Sequence, residues 1–145
     1  MQEEKLYIPK SYLTLQIVRD VMAEFEWPVS YELIDETEDW RSVIIKFETC
    51  EIELQDVPDD GINLTFISYK NGKELNANYA DIITYLANYN PREHLNLEYN
   101  TYTDPVLDIT TSVRNDMKNL QYYHIDFITG TNYSWAEKYL KEKKK

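Results

Sequence analysis

Three side chains in this sequence could act as a nucleophile or a general base: Cys50, His94 and His124. Nucleophilic catalysis requires a nucleophile, a base and an orienting group that meet in the fold. No local motif surrounds any of the three, and isolated residues of these types usually have structural roles. We therefore predict no catalytic residue and no enzyme activity. A small enzyme whose site is built from scattered carboxylates, Tyr and His stays an alternative.

Metal and phosphate sites are equally poorly supported by residue spacing. The sequence has one cysteine and no His-x-x-x-His pair, so it predicts no zinc site. The segment from Asp56 to Gly61 resembles a calcium loop only superficially, because it lacks acids at alternate positions and a closing glutamate. Three glycines are too few for a Walker loop or a dinucleotide fingerprint. We predict no cofactor and no metal.

The carboxylates are concentrated in one part of the chain. The formal net charge is −11, and the window from Asp20 to Asp60 holds fourteen acids against Arg41 and Lys46, a net charge of −12 that leaves +1 for the other residues. The acids are Asp20, Glu24, Glu26, Glu32, Asp35, Glu36, Glu38, Asp39, Glu48, Glu51, Glu53, Asp56, Asp59 and Asp60. A field of one sign repels nucleic acid and attracts a basic protein. The alternative is a solvated face that only keeps the protein soluble.

Aromatic residues beside these acids suggest where a partner would bind. Trp40 follows a segment, residues 35–39, that holds four acids, and tight interfaces often place a Trp or Tyr anchor inside a charged rim. We predict that the partner-binding residues are Asp35, Glu36, Glu38, Asp39, Trp40, Glu51, Glu53, Asp59 and Asp60. The alternative places Trp40 at the edge of the core, with the acids merely solvated.

A helix followed by a sheet is expected to position these residues. Residues 11–26 carry apolar residues at helical spacing, with Ser11 as the N-cap candidate and Pro28 beyond the end. From Val29 to Tyr69 the apolar period changes to two, which is typical of antiparallel strands with one wet face. Turn signals at 35–39, 58–61 and 71–72 divide this region into a meander of three or four strands.

The second half of the sequence predicts helices. A stripe from Tyr79 to Tyr89 indicates the first, and residues 92–103 are expected to form a loop with at most a short strand. Asp104-Pro105 is a start signal for a helix that runs toward Phe127 and ends at Gly130. Ser134 to Glu137 matches a capping box for a last helix.

These observations together predict one α+β domain over residues 1–145. It has an N-terminal helix, an antiparallel meander of three or four strands, and two or three C-terminal helices packed on one face of the sheet. Residues 141–145 are expected to be a frayed basic tail. We expect a cytoplasmic protein with no membrane partner, because no secretory signal or long apolar run is visible and the single cysteine cannot form an internal disulfide.

In size, acidity and absence of a catalytic motif the chain resembles bacterial immunity proteins, which neutralise a cognate toxin. The resemblance includes no shared motif, so it assigns no residue. It implies an acidic, non-catalytic inhibitor of a basic protein such as a toxin, which could be a nuclease. A structural subunit whose Tyr-rich helices form an oligomer interface is a further alternative, and the sequence leaves the oligomeric state open.

Overall fold

The computed structural model describes residues 12–57, 61–70, 72–89 and 108–143. The described part confirms the α+β class, with an N-terminal helix, an antiparallel sheet and C-terminal helices. In chain order the elements are α1 (Leu15–Met22), β1 (Tyr31–Glu36), α2 (Thr37–Trp40), β2 (Ser42–Phe47), β3 (Cys50–Val57), β4 (Gly61–Tyr69), β5 (Lys73–Asn78), α3 (Tyr79–Tyr89), α4 (Ile109–Tyr123), α5 (Ile125–Thr129) and α6 (Ser134–Lys143).

The sheet has five strands in the order β1-β2-β3-β4-β5, one more than the upper limit of the prediction. The strand that the sequence did not reveal is β5, because only Leu75 and Ala77 of this mostly polar segment are buried. Its alternation is therefore short and weak. All neighbouring strands are antiparallel, as a meander requires.

The register assigns alternate residues to the two faces of the sheet. On the apolar face, Leu33, Ile45, Ile52, Phe66 and Ala77 are successive cross-strand neighbours. This face contributes to a core completed by buried residues of α1, α3, α4, α5 and α6. The opposite face, which we call the open face, carries mainly polar residues. It has a row of cross-strand neighbours formed by Glu32, Lys46, Glu51, Ser68 and Glu74.

The first helix is shorter than the sequence suggested. α1 starts after Thr14, whose hydroxyl accepts a hydrogen bond from the Ile17 amide at 3.1 Å, as an N-cap does. The predicted cap, Ser11, lies outside the described residues. Beyond Met22 the chain leaves the helix through turns, and the Trp27 indole N–H donates to the Met22 carbonyl oxygen at 3.1 Å. α1 therefore ends several residues before Pro28.

The long helix predicted from Asp104 to Gly130 is divided into two in the described region. α4 begins at Ile109 with Asp108 as its N-cap, while the predicted start at Asp104-Pro105 and the loop at 92–103 lie outside the described residues. The helical path breaks at His124, where φ is −126° and ψ is 16°. Gly130 ends α5 in the left-handed conformation with φ of 80°, which confirms its predicted role.

The last helix, α6, continues to Lys143, so residues 141–143 of the expected tail are helical. Lys144 and Lys145 lie outside the described residues. None of the described helices is both long and apolar enough to cross a membrane.

Candidate functional site

Five of the predicted residues lie together at the end of the sheet where β1 turns into β2: Asp35, Glu36, Glu38, Asp39 and Trp40. α2 forms a single helical turn between the two strands, and Arg41 closes it in the left-handed conformation with φ of 56°. Asp35 organises the start of this turn, because its Oδ1 accepts hydrogen bonds from the Thr37 amide at 3.0 Å and from the Thr37 hydroxyl at 2.6 Å. These two bonds lower the pKa of the Asp35 carboxyl, so it stays ionised at neutral pH.

Trp40 lies on the surface of this turn. Its side chain is 63% exposed, and no residue of α2 is buried. The Gln55 side-chain amide donates to the Trp40 carbonyl oxygen at 3.1 Å and so ties the turn to β3. Glu38 and Asp39, the two residues before Trp40, are exposed as well. The structure therefore places an exposed indole beside two solvated carboxylates rather than at the edge of the core.

Glu51 and Glu53 lie on the open face of β3, as predicted. Glu51 is opposite Lys46, which is opposite Glu32 on its other side, so one lysine stands between two glutamates. Glu53 is opposite Ile44. The described open face carries one lysine against five carboxylates, those of Glu32, Glu36, Glu51, Glu53 and Glu74. The charge along this part of the sequence thus becomes a negative face in space.

Two predicted residues, Asp59 and Asp60, lie outside the described residues. Val57, the last residue of β3, ends that strand at the same end of the sheet as α2, because β1 and β3 run in the same direction. Asp56, counted among the acids of the window, has a structural role instead. It is only 8% exposed, and its Oδ2 accepts a hydrogen bond from the Leu13 amide at 3.0 Å.

The described basic side chains of the C-terminal half form no ion pair with the described acids of the strands and α2. The ion pairs found within the described ranges join Lys70 to Glu137, Arg114 to Glu24, and Lys138 to Glu142. Arg114 holds Glu24 through two contacts of 2.7 Å, which lowers the pKa of that carboxyl. One acid of the window is therefore compensated, whereas no described acid of the strands or α2 takes part in these pairs.

A shallow depression beside the acidic turn was not predicted from the sequence. It is lined by Tyr12, Leu13, Thr37, Arg41 and Asp56. The Arg41 guanidinium carbon lies 5.7 Å from the centre of the Tyr12 ring, a cation–π distance. Tyr12 is 67% exposed, so a second exposed aromatic side chain borders the same end of the sheet. No local sequence pattern predicts this pairing, because Tyr12 and Arg41 are far apart along the chain.

The side chains considered for catalysis are buried where the structure describes them. Cys50 is a free cysteine that is 3% exposed, and burial raises the pKa of its thiol to about 12, so it holds its proton at neutral pH. His124 is 2% exposed, with its Nε2 3.0 Å from the Tyr79 hydroxyl oxygen. His94 lies outside the described residues. Within the described ranges, no group of three His, Cys, Asp or Glu side chains is arranged to hold a metal ion.

Asp116 is a buried polar residue that sequence reasoning did not identify. Its side chain has no solvent exposure, and neither carboxylate oxygen has a hydrogen-bond partner. Burial raises the pKa of this carboxyl well above its usual range. Burial also raises the pKa of nearby Tyr79, and the negative charge of an ionised Asp116 adds to that shift. The sequence carries no signal for such a residue, since Asp116 occupies an ordinary helical position.

Comparison of this chain with protein-family models, with curated proteins and with solved structures finds no match.

Proposed function

We propose that this chain is a non-catalytic protein-binding module that captures a basic protein through the acidic end and open face of its sheet. The observation that carries the proposal is the exposed indole of Trp40 next to the solvated carboxylates of Glu38 and Asp39. A large aromatic group left in water costs free energy that a partner can recover by covering it. Carboxylates around it would favour a partner with Lys or Arg at the rim.

The electrostatic logic is steering followed by close complementarity. A negative face attracts a cationic cleft over a distance of about 10 Å at moderate salt, which raises the association rate. Charge pairs that lose water on contact then slow dissociation. A toxin that acts on nucleic acid needs a cationic cleft to attract phosphate, so carboxylates such as Glu51 and Glu53 could occupy the same cleft. We therefore favour an inhibitor of the immunity kind, with a basic toxin such as a nuclease as its partner.

A cytoplasmic location is part of the same proposal. Cys50 is a free thiol in the core, which is compatible with a reducing compartment. The proposal also treats the protein as non-catalytic, and the burial of Cys50 and His124 supports this. A nucleophile that is inaccessible to solvent and protonated at neutral pH is poorly suited to attack a substrate.

Charge reversal with a matched control tests the proposal. The site variant combines Glu38→Lys with Asp39→Lys, and the control combines Asp126→Lys with Glu142→Lys, which changes the net charge equally at exposed positions outside the acidic turn. Each tagged protein is used to capture partners from a lysate of the native host, and the captured proteins are identified by mass spectrometry.

We expect the wild type and the control to capture the same basic protein and the site variant to lose it. Co-expression with that protein then asks whether its activity is blocked. Equal capture by all three proteins would show that the acidic turn only solvates the surface.

A further inference from the structure

The sheet has two edges, and they differ in regularity. At the β5 edge, Asn76 has a φ of 47° and the pairing with β4 shifts register between Phe66 and Ser68. β5 also begins with Lys73, and irregular or lysine-bearing edges resist the addition of another strand. β1, in contrast, pairs with β2 in an unbroken register from Tyr31 to Glu36.

The direction of the backbone groups of β1 follows from two hydrogen bonds. The Glu48 amide donates to the Ser30 carbonyl oxygen at 3.1 Å, and hydrogen-bonded pairs recur at every second residue of an antiparallel ladder. The even-numbered residues of β1 therefore bond to β2. The Asp56 amide donates to the Arg41 carbonyl oxygen at 2.9 Å. By the same rule, the odd-numbered residues of β2 form their backbone hydrogen bonds with β3, and the even-numbered residues of β2 form theirs with β1, which agrees with the first assignment.

The N–H and C=O groups of Tyr31, Leu33 and Asp35 consequently point away from β2. No other described strand pairs with them. A row of free backbone donors and acceptors along a regular strand is a template for another strand. β1 contains neither proline nor lysine, which are the residues that most often block such an edge.

We propose that an extended, basic segment of the partner adds to the sheet as a sixth strand along β1. This inference rests on the proposed function, because charge selects the occupant. β1 carries three acids, Glu32, Asp35 and Glu36, and no basic residue. Pairing with a second copy of this chain would bring the carboxylates of both copies together, which is unfavourable. A strand with lysine or arginine opposite them makes favourable pairs instead.

The residue types along β1 define the side chains that such a strand would need. A basic residue is favoured opposite each acid of β1, which are Glu32, Asp35 and Glu36. An apolar residue is favoured opposite each of the others, which are Tyr31, Leu33 and Ile34. An antiparallel partner segment read in its own direction is therefore Lys-Lys-Val-Val-Lys-Val or a close equivalent. Backbone bonds would supply affinity, and the alternate side chains would supply specificity.

A synthetic peptide with this sequence tests the inference against the full chain. The matched control is the same peptide N-methylated at the residues opposite Tyr31, Leu33 and Asp35, which keeps its charge but removes the N–H groups that face β1. We expect the control to bind at least about tenfold more weakly, since three backbone hydrogen bonds are lost. Binding of the unmodified peptide should slow amide hydrogen exchange at these three residues.

A pair of protein variants provides a second readout. Asp35→Ala and Asp35→Pro remove the same exposed carboxylate, but only proline removes the outward N–H. We expect Asp35→Pro to bind the peptide at least about tenfold more weakly than Asp35→Ala. Thermal unfolding of both variants checks the fold, and the N-methylated peptide decides the question with the wild type if proline disturbs β1.

Equal binding of the two peptides, unchanged exchange at Tyr31, Leu33 and Asp35, or no binding of the unmodified peptide at low salt would overturn strand addition. The proposed function fails separately, when reversal at Glu38 and Asp39 leaves capture of the host partner unchanged.

Discussion

At the scale of single residues, Trp40 is the side chain on which partner capture most depends. It is 63% exposed and is not part of the buried core. A substitution at Trp40 can therefore change partner binding without changing the stability of the fold. Trp residues at the centre of an interface commonly account for much of the affinity.

We expect Trp40→Ala to weaken partner binding by about 2 kcal/mol, or about 30-fold, while changing the free energy of unfolding by less than about 0.5 kcal/mol. Titration calorimetry and urea unfolding measure the two effects. Tyr122→Ala is the control, because Tyr122 is 77% exposed and lies on α4, away from the acidic turn. Equal losses of affinity in the two variants would remove Trp40 from the site.

We expect Asp116 to make the stability of the protein depend on pH. Since burial raises its folded pKa above the unfolded value, the neutral carboxyl is tolerated at low pH, and its contribution to stability is lost as pH rises toward the folded pKa. Tyr79, on α3, interacts electrostatically with this carboxyl, and its hydroxyl oxygen lies 3.0 Å from Nε2 of the buried His124.

We expect Asp116→Asn to reduce this loss, because asparagine cannot ionise. The free energy of unfolding of the wild type should fall relative to that of the variant as pH rises above about 4, the ordinary pKa of an unfolded aspartic acid, toward the raised folded pKa, as the linkage of proton binding to folding requires. Urea unfolding at several pH values measures the difference, with Asp126→Asn, an exposed position, as the control. Parallel pH profiles for wild type and Asp116→Asn would contradict the assignment of a raised pKa.

At the scale of elements, the sequence predicted those whose signals are local. Alternation identified β2, β3 and β4, and Gly130 correctly marked the end of a helix because only a left-handed residue fits there. β5 was missed because its polar residues alternate weakly at a sheet edge. The break at His124 was missed because no glycine or proline marks it, and the contact of His124 with Tyr79, 45 residues away, is one that no local pattern encodes.

Gly130 lies where the end of α5 packs against the turn between β2 and β3. The Thr49 hydroxyl donates to the Ile128 carbonyl oxygen, and a Cβ added at Gly130 would lie 3.0 Å from the Tyr133 hydroxyl and 3.1 Å from the Thr49 methyl carbon. Both contacts are tighter than normal packing allows, and a φ of 80° adds backbone strain.

We therefore expect Gly130→Ala to lower the free energy of unfolding by about 1–3 kcal/mol. Denaturant unfolding measures the change, and partner affinity should stay the same, since the acidic turn is elsewhere. The comparison variant is Gly72→Ala, where φ is 110° but no atom lies within 4 Å of the added Cβ, so only backbone strain remains. A loss for Gly130→Ala no greater than that for Gly72→Ala would exclude the steric contribution of Thr49 and Tyr133.

At the scale of the whole molecule, the meander explains why charge along the sequence predicts charge in space. Consecutive strands are neighbours, so Glu32, Glu36, Glu51 and Glu53 lie on one face of the sheet, and Glu38 and Asp39 lie at the end where β1 turns into β2. The same reasoning could not predict which acids form structural contacts and so do not contribute to the negative surface. Asp56 binds the Leu13 amide and Glu24 binds Arg114, and both contacts join residues more than 40 positions apart.

The measurement that tests the central claim most directly is the association rate constant of the captured partner at increasing salt concentration. If the acidic sheet steers a basic protein, the rate constant of the wild type should fall at least about tenfold between low and high salt, and the Asp126→Lys/Glu142→Lys control should behave similarly. The Glu38→Lys/Asp39→Lys variant should start lower and depend less on salt. A wild-type rate constant that is independent of salt, or identical profiles for the two variants, would contradict the account.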